Sequence, residues 1–172
     1  MKKFFSLAVV GLLTFTAVSC TRSADVVQPV AATTDTYSTA YDLTNVSFAK
    51  DSNGIYSISR NFNNPLIESD VVLIYRQSGT LSDGSPIWQS IPRTLYLTQG
   101  ELDYDFDFTK VDILIKAGGN YDISTTPTYL NNQNFRVVVV PAKTGKATGV
   151  DFTDYNSVAK FYNIKESDVK KL

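Results

Sequence analysis

Residues 101–108 read Glu101-Leu102-Asp103-Tyr104-Asp105-Phe106-Asp107-Phe108. Every second side chain is apolar, and those between are carboxylates. A β-strand sends successive side chains to opposite faces, so a period of two predicts a strand with one dry and one wet face. Tyr104 and Phe106 are therefore expected in a core, and Asp103 and Asp105 in solvent. Val111, Ile113 and Ile115 continue the alternation in the next segment, and Leu114 puts a partly covered residue on its other side.

Two further runs do not alternate. Val71-Val72-Leu73-Ile74-Tyr75 and Val137-Val138-Val139-Val140 are apolar throughout. Their shortness and β-branched content predict central strands covered on both faces. Weaker strand patterns occupy Leu43–Phe48, Ile55–Phe62, Ile87–Ile91 and Arg93–Thr98. Turn residues separate the segments: Asp51-Ser52-Asn53-Gly54, Ser82-Asp83-Gly84-Ser85-Pro86, Gln99-Gly100 and Gly118-Gly119-Asn120. About eight short strands at this spacing predict an all-β fold, an antiparallel β-sandwich of immunoglobulin-like or jelly-roll-like kind. The period changes near the end. Tyr155, Val158, Ala159 and Tyr162 share one face of a short C-terminal helix, with Thr153 as expected cap and Asp154 suited to its dipole. Ser167 is expected to cap a last turn near Leu172.

The N-terminus has a different character. Lys2 and Lys3 precede an uncharged, mostly apolar run from Phe4 to Val18, and Ala17-Val18-Ser19 leads into Cys20, the single cysteine of the 172-residue chain. That order is the leader of an exported protein, and it is shorter than the roughly 20 apolar residues of a membrane span. Its ending resembles the lipobox of bacterial lipoproteins, although Ala17 stands where leucine is usual. The resemblance implies that Cys20 is the lipid-attachment residue and the mature N-terminus, carrying acyl chains such as palmitate. Residues 1–19 are then a signal peptide and 20–36 an anchored flexible tether. Thr21–Thr36 would reach on the order of 20–25 Å; its rival reading is an added edge strand over Asp25–Val30. Residues 37–172 make one domain, long enough to fold without disulfides or metal.

Composition narrows the chemistry. Losing Lys2 and Lys3 with the leader leaves 14 basic against 17 acidic residues, a net charge of −3. Such a domain has no electrostatic reason to bind nucleic acid. The chain has no histidine. This removes Ser-His-Asp and Cys-His catalysis and the commonest zinc ligand. Asp103-x-Asp105-x-Asp107 opens like a calcium loop, but Phe108 stands where glycine is needed and Leu114 where a bidentate glutamate is needed. Carboxylates two apart on a strand lie about 7 Å apart, too far to converge. They are expected to face solvent and to pair across strands with Arg76, Arg93, Lys110 or Lys116. No catalytic residue, metal or cofactor is therefore expected. The single tryptophan, Trp88, is read as core, with sugar stacking as the alternative. Tyr37, Tyr41, Tyr121 and Tyr129 lie near loops, where they could form a sticky surface.

The segments ESDVVLIYRQ (from Glu68), IWQSIPRTLYLTQGELDYDFDFTKVDILI (from Ile87), NQNFRVVVVPA (from Asn132) and VDFTDYNSVAKFYNI (from Val150) resemble a module of small lipoproteins of Bacteroidota, especially flavobacteria. In some similar proteins a collagen-like Gly-x-y stretch follows the lipid cysteine; here Thr21–Thr36 has no glycine. The resemblance implies a β-rich fold and an outer-membrane location in the cell envelope, and carries over no catalytic residue. The expectation is a lipid-anchored binding or structural module whose partners are the membrane and envelope proteins or glycans. The alternative is a carboxylate-based glycan hydrolase.

Overall fold

The computed structural model describes residues 38–141 and 149–172, so the leader, Cys20, the tether and Tyr37 lie outside the described residues. Among those described, one sheet contains β1 (Thr39–Val46), β4 (Val71–Thr80), β5 (Pro86–Ile91), β9 (Gln133–Val140) and β10 (Lys170–Lys171), in the order β10-β1-β9-β4-β5. The other contains β2 (Ala49–Lys50), β3 (Tyr56–Asn61), β6 (Arg93–Leu97), β7 (Gly100–Phe108) and β8 (Asp112–Gly119), in the order β2-β3-β8-β7-β6. Only β10 runs parallel to its neighbour, β1; the other pairings are antiparallel. The fold is the expected all-β sandwich with a short C-terminal helix. The eight expected strands are all present, and the two additional ones are two-residue edge strands.

Two cores explain the two kinds of sequence pattern. Between the sheets, Leu43, Ile74, Phe135 and Val137 of the first meet Leu102, Tyr104, Ile113 and Ile115 of the second. On the other side of the first sheet, Ala40, Tyr75, Val138 and Val140 pack under Tyr155 and Val158 of the helix α1 (Tyr155–Phe161). The central strand β9 feeds both cores, so Val137–Val140 carries no polar alternation. Among the described residues no helix covers the outer face of the second sheet, so β7 alternates: Leu102 and Tyr104 are buried, and Asp103, Asp105 and Asp107 are exposed.

Four local expectations are corrected. Phe106 is only half-buried and Phe108 is 43% exposed, because the core ends at Tyr104 along β7; the two rings stack on each other at its rim, 6.4 Å apart. Asp154, not Thr153, caps α1, its carboxylate accepting from the Asn156 amide at 3.0 Å. The amide and hydroxyl of Thr153 are held instead by Asp151, at 2.9 and 2.7 Å. Ser167 lies inside a single 3-10 turn (Glu166–Asp168) that has no side-chain cap. The last residues then turn extended, since the free backbone edge of β1 offers Lys170 and Lys171 a partner strand, and the Leu172 amide reaches Asp42 O at 3.2 Å.

Local chemistry fixes the turns as read. In the 51–54 turn, Asp51 Oδ1 accepts from the Asn53 and Ile55 amides at 2.9 and 2.8 Å, and Gly54 supplies the positive φ of 85°.

Candidate functional site

The Asp103, Asp105 and Asp107 carboxylates lie side by side on the open face, and their partners separate them. Thr94 Oγ1 donates to Asp103 at 2.5 Å. Lys116 Nζ reaches Asp107 at 2.6 Å, and this contact holds the lysine pKa above its usual value. Asp105 Oδ1 accepts from the Phe106 amide at 2.8 Å. Of the four cations expected here, Lys116 takes the role. Lys110 pairs with Glu68 at 3.4 Å, Arg93 forms no ion pair among the described residues, and Arg76 points between the sheets.

Beside these carboxylates the face dips into a shallow cleft of about 430 Å³. Asp103 and Asp105 line it, and Lys50, Lys116 and Asp122 supply further charges. Lys50 is held over the Tyr56 ring, 5.3 Å from its centroid. Asp122 is fixed by Ser124, whose hydroxyl and amide donate to Oδ1 at 2.7 and 3.1 Å and hold the carboxyl below its usual pKa.

The two glycines in the cleft differ. A Cβ at Gly119 would stand 2.6 Å from Glu101 O and 2.7 Å from Ile123 Cγ2, so packing requires glycine there. A Cβ at Gly118 would meet nothing within 4 Å, and its backbone does not need a positive φ. Neither packing nor conformation accounts for Gly118. A strand glycine of that kind fits a place where a ligand approaches the backbone.

The helix-covered side of the first sheet carries a different constellation, centred on Arg136 of β9. Its guanidinium donates to Asp42 from Nε and Nη2 at 2.7 and 2.8 Å, and to Glu166 from Nη1 and Nη2 at 2.5 and 2.9 Å. Nη1 also donates to the Tyr155 hydroxyl at 2.6 Å. Trp88 and Tyr155 lie over the guanidinium, with ring centroids 4.8 and 4.9 Å away. Trp88 is thus half-buried beneath α1, and neither fills the inter-sheet core nor stands free for sugar stacking. Arg136 was missed at the sequence level, though one charge inside Phe135-Arg136-Val137 was the available signal.

The three described loop tyrosines do not make a sticky surface, and Tyr37 lies outside the described residues. Tyr41, Tyr121 and Tyr129 are half-buried and packed on the inter-sheet core. The Tyr121 hydroxyl bonds Thr126 at 2.6 Å, and Tyr129 O accepts from the Tyr104 hydroxyl at 2.6 Å.

Among the described residues no group of three or more Cys, Asp or Glu side chains could hold a metal ion. No helix among them is long and apolar enough to cross a membrane. No family model, no curated protein and no solved structure matches this chain.

Proposed function

We propose that this chain is a lipid-anchored binding module of a bacterial cell envelope, attached through Cys20, with a neutral glycan as its ligand. The anchor rests on the Lys2-Lys3 leader, the lone cysteine at its end and the resemblance to Bacteroidota lipoproteins. The glycan rests chiefly on Gly118: an open backbone floor that the fold does not demand, beside carboxylates and lysines. Carboxylates accept from sugar hydroxyls and lysines donate to them, and the mixture of signs disfavours a strongly charged ligand.

The rival reading, a carboxylate-based hydrolase, has less support. Its general acid would need a carboxyl whose burial raises its pKa. Among the described residues the buried polar side chains are Arg76, Thr126, Gln133 and Arg136, and none is a carboxylate.

Gly118→Val tests the binding reading cleanly. The added Cβ meets nothing within 4 Å and valine suits a strand, so stability should hold, while the cleft is obstructed. Binding to a panel of soluble neutral polysaccharides should be present in the native protein and weakened at least tenfold in Gly118→Val. No binding by the native protein, or equal binding by both, overturns the assignment. Release of reducing ends from the bound polysaccharide would instead support the hydrolase.

A further inference from the structure

The sandwich buries two arginines, and they are treated differently. Arg136, 3% exposed, is satisfied by two carboxylates and a tyrosine hydroxyl. Arg76, 9% exposed, forms no ion pair among the described residues. Its Nε donates to Gln133 Oε1 at 2.8 Å, and that amide is itself fixed by Thr128 O and Asn131 O at 2.8 and 2.6 Å. Its guanidinium lies over Tyr104 and Tyr129, 4.8 and 5.8 Å from the ring centroids. The Tyr104 hydroxyl also lies within hydrogen-bonding reach of the guanidinium, and no carbonyl or carboxylate among the described residues accepts from Nη1 or Nη2.

Leaving a buried cation without a counter-charge is costly, and rings and one amide oxygen repay only part of it. Among the described residues no buried side-chain nitrogen lacks a partner, so a terminal nitrogen of Arg76 that the Tyr104 hydroxyl does not serve is open to the surface, in keeping with the residual 9% exposure of the residue. The fork is also pre-oriented: Gln133 holds its Nε edge and the two tyrosines hold its plane. One hydroxyl cannot use the four hydrogens of the Nη groups, and a planar, oriented guanidinium with donors left over matches a carboxylate, which accepts two parallel hydrogen bonds. The cross-strand neighbours bring no carboxylate to the guanidinium. Gln89, the cross-strand partner of Arg76 on β5, is neutral, and Arg93, the partner of Tyr104 on β6, is another cation.

We infer that Arg76 is a receptor for the carboxylate of a small acidic ligand, held at the end of the sandwich that Tyr129 and Gln133 close. This site is distinct from the glycine-floored cleft and does not depend on it. An acidic sugar and a simple organic acid share the recognised group.

Two probes separate those sources: sodium glucuronate, with glucose plus sodium chloride at matched ionic strength as control, and sodium acetate against sodium chloride. At a concentration ten times Kd the thermal midpoint should rise by about 3–6 °C over the control. The Arg76 Nε–Hε resonance should shift on titration, and Arg76→Met should show neither effect. A response to both probes assigns recognition to the carboxylate alone, and a response to glucuronate only adds the sugar to it. If neither probe moves the Arg76 resonance in the native protein, or if Arg76→Met gains as much thermal stability as the native protein, the inference is overturned. The resonance test needs no variant, so it decides the matter even if Arg76→Met fails to fold.

Discussion

Arg136 and Glu166 face each other as fork to fork: Nη1 donates to Oε1 at 2.5 Å and Nη2 to Oε2 at 2.9 Å. The pair joins the central strand of the first sheet to the C-terminal turn. It holds the segment that ends in β10 against β1. Asp42 closes the other edge of the same guanidinium, so one side chain ties three parts of the chain together.

The two carboxylates should not matter equally to that tie. Arg136→Met strands Asp42 and removes the cation that the Trp88 and Tyr155 rings lie against, so it should cost about 3–5 kcal/mol in denaturant melts. The Glu166 side chain is 69% exposed, and solvent screens it. Glu166→Gln should therefore cost about 1 kcal/mol or less. Equal costs for the two variants would refute this account of the junction.

The same pair sets an acid-side pH dependence. Hydrogen bonding from Arg136 holds the Glu166 carboxyl below its ordinary pKa. A carboxyl lowered on folding contributes stability above its unfolded pKa and loses it as the pH falls through its folded one. The gap between the native protein and Glu166→Gln should be constant near neutrality and close as the medium becomes acid. A gap that widens in acid would reverse the sign and count against the pairing.

On the alkaline side the reporter is Tyr104. Burial is the largest cause that pushes its phenol up, from 10.0 to about 12, while the charge of Arg76 works against it. A raised pKa contributes stability below the unfolded value and loses it as the pH rises toward the folded one. Stability should fall between pH 10 and 12, with Tyr104 contributing up to about 1.4 kcal/mol per pH unit. Tyr75, likewise raised by burial, adds to the same loss. Tyr104→Phe should cost about 1–2 kcal/mol at neutral pH, because Tyr129 O loses its donor, and should flatten this alkaline slope. An unchanged slope would remove Tyr104 as its source.

Much of the architecture was legible because burial writes periodicity. Period two on β7 marked the open face, unbroken apolarity on β4 and β9 marked strands with a core on each side, and the i, i+3, i+4 spacing from Tyr155 marked α1. What was not legible depends on where elements end against one another. Phe106 and Phe108 continue the pattern of Leu102 and Tyr104, yet the core stops short of them. Lys170 and Lys171 carry no apolar signal and become strand only because β1 has a free edge. The candidate site was half legible. The aspartates announced the face, but the difference between Gly118 and Gly119 exists only once Glu101 and Ile123 are in place.

That boundary of the core can be measured along β7. Leu102 is fully buried, so Leu102→Ala should cost about 2–5 kcal/mol. Phe106 is half-buried at the rim, so Phe106→Ala should cost less than the 3–5 kcal/mol typical of a buried phenylalanine, about 2 kcal/mol. Asp105 is exposed and its side-chain hydrogen bond is to the adjacent amide, so Asp105→Ala should stay within about ±0.5 kcal/mol. A loss for Phe106→Ala equal to or above that for Leu102→Ala would place the core boundary farther along the strand. A large loss for Asp105→Ala would mean the carboxylate face is covered or coordinating.

The anchor yields the last prediction. A single acyl chain holds a protein to a membrane only marginally, whereas two or more hold it stably. If Cys20 is acylated, the mature protein should partition into the detergent phase and its intact mass should begin at a lipid-modified Cys20. Cys20→Ser should accumulate as the unprocessed precursor, because the residue that receives the lipid is gone while the Lys2-Lys3 leader remains. The lone cysteine also gives a chemical readout. Acylation consumes the chain's single thiol, so the mature protein should not react with a maleimide even when denatured. A mature N-terminus at or after Cys20 without lipid, or a denatured protein that takes up one maleimide, would show that the thiol is free. The domain would then have no lipid to hold it at the membrane.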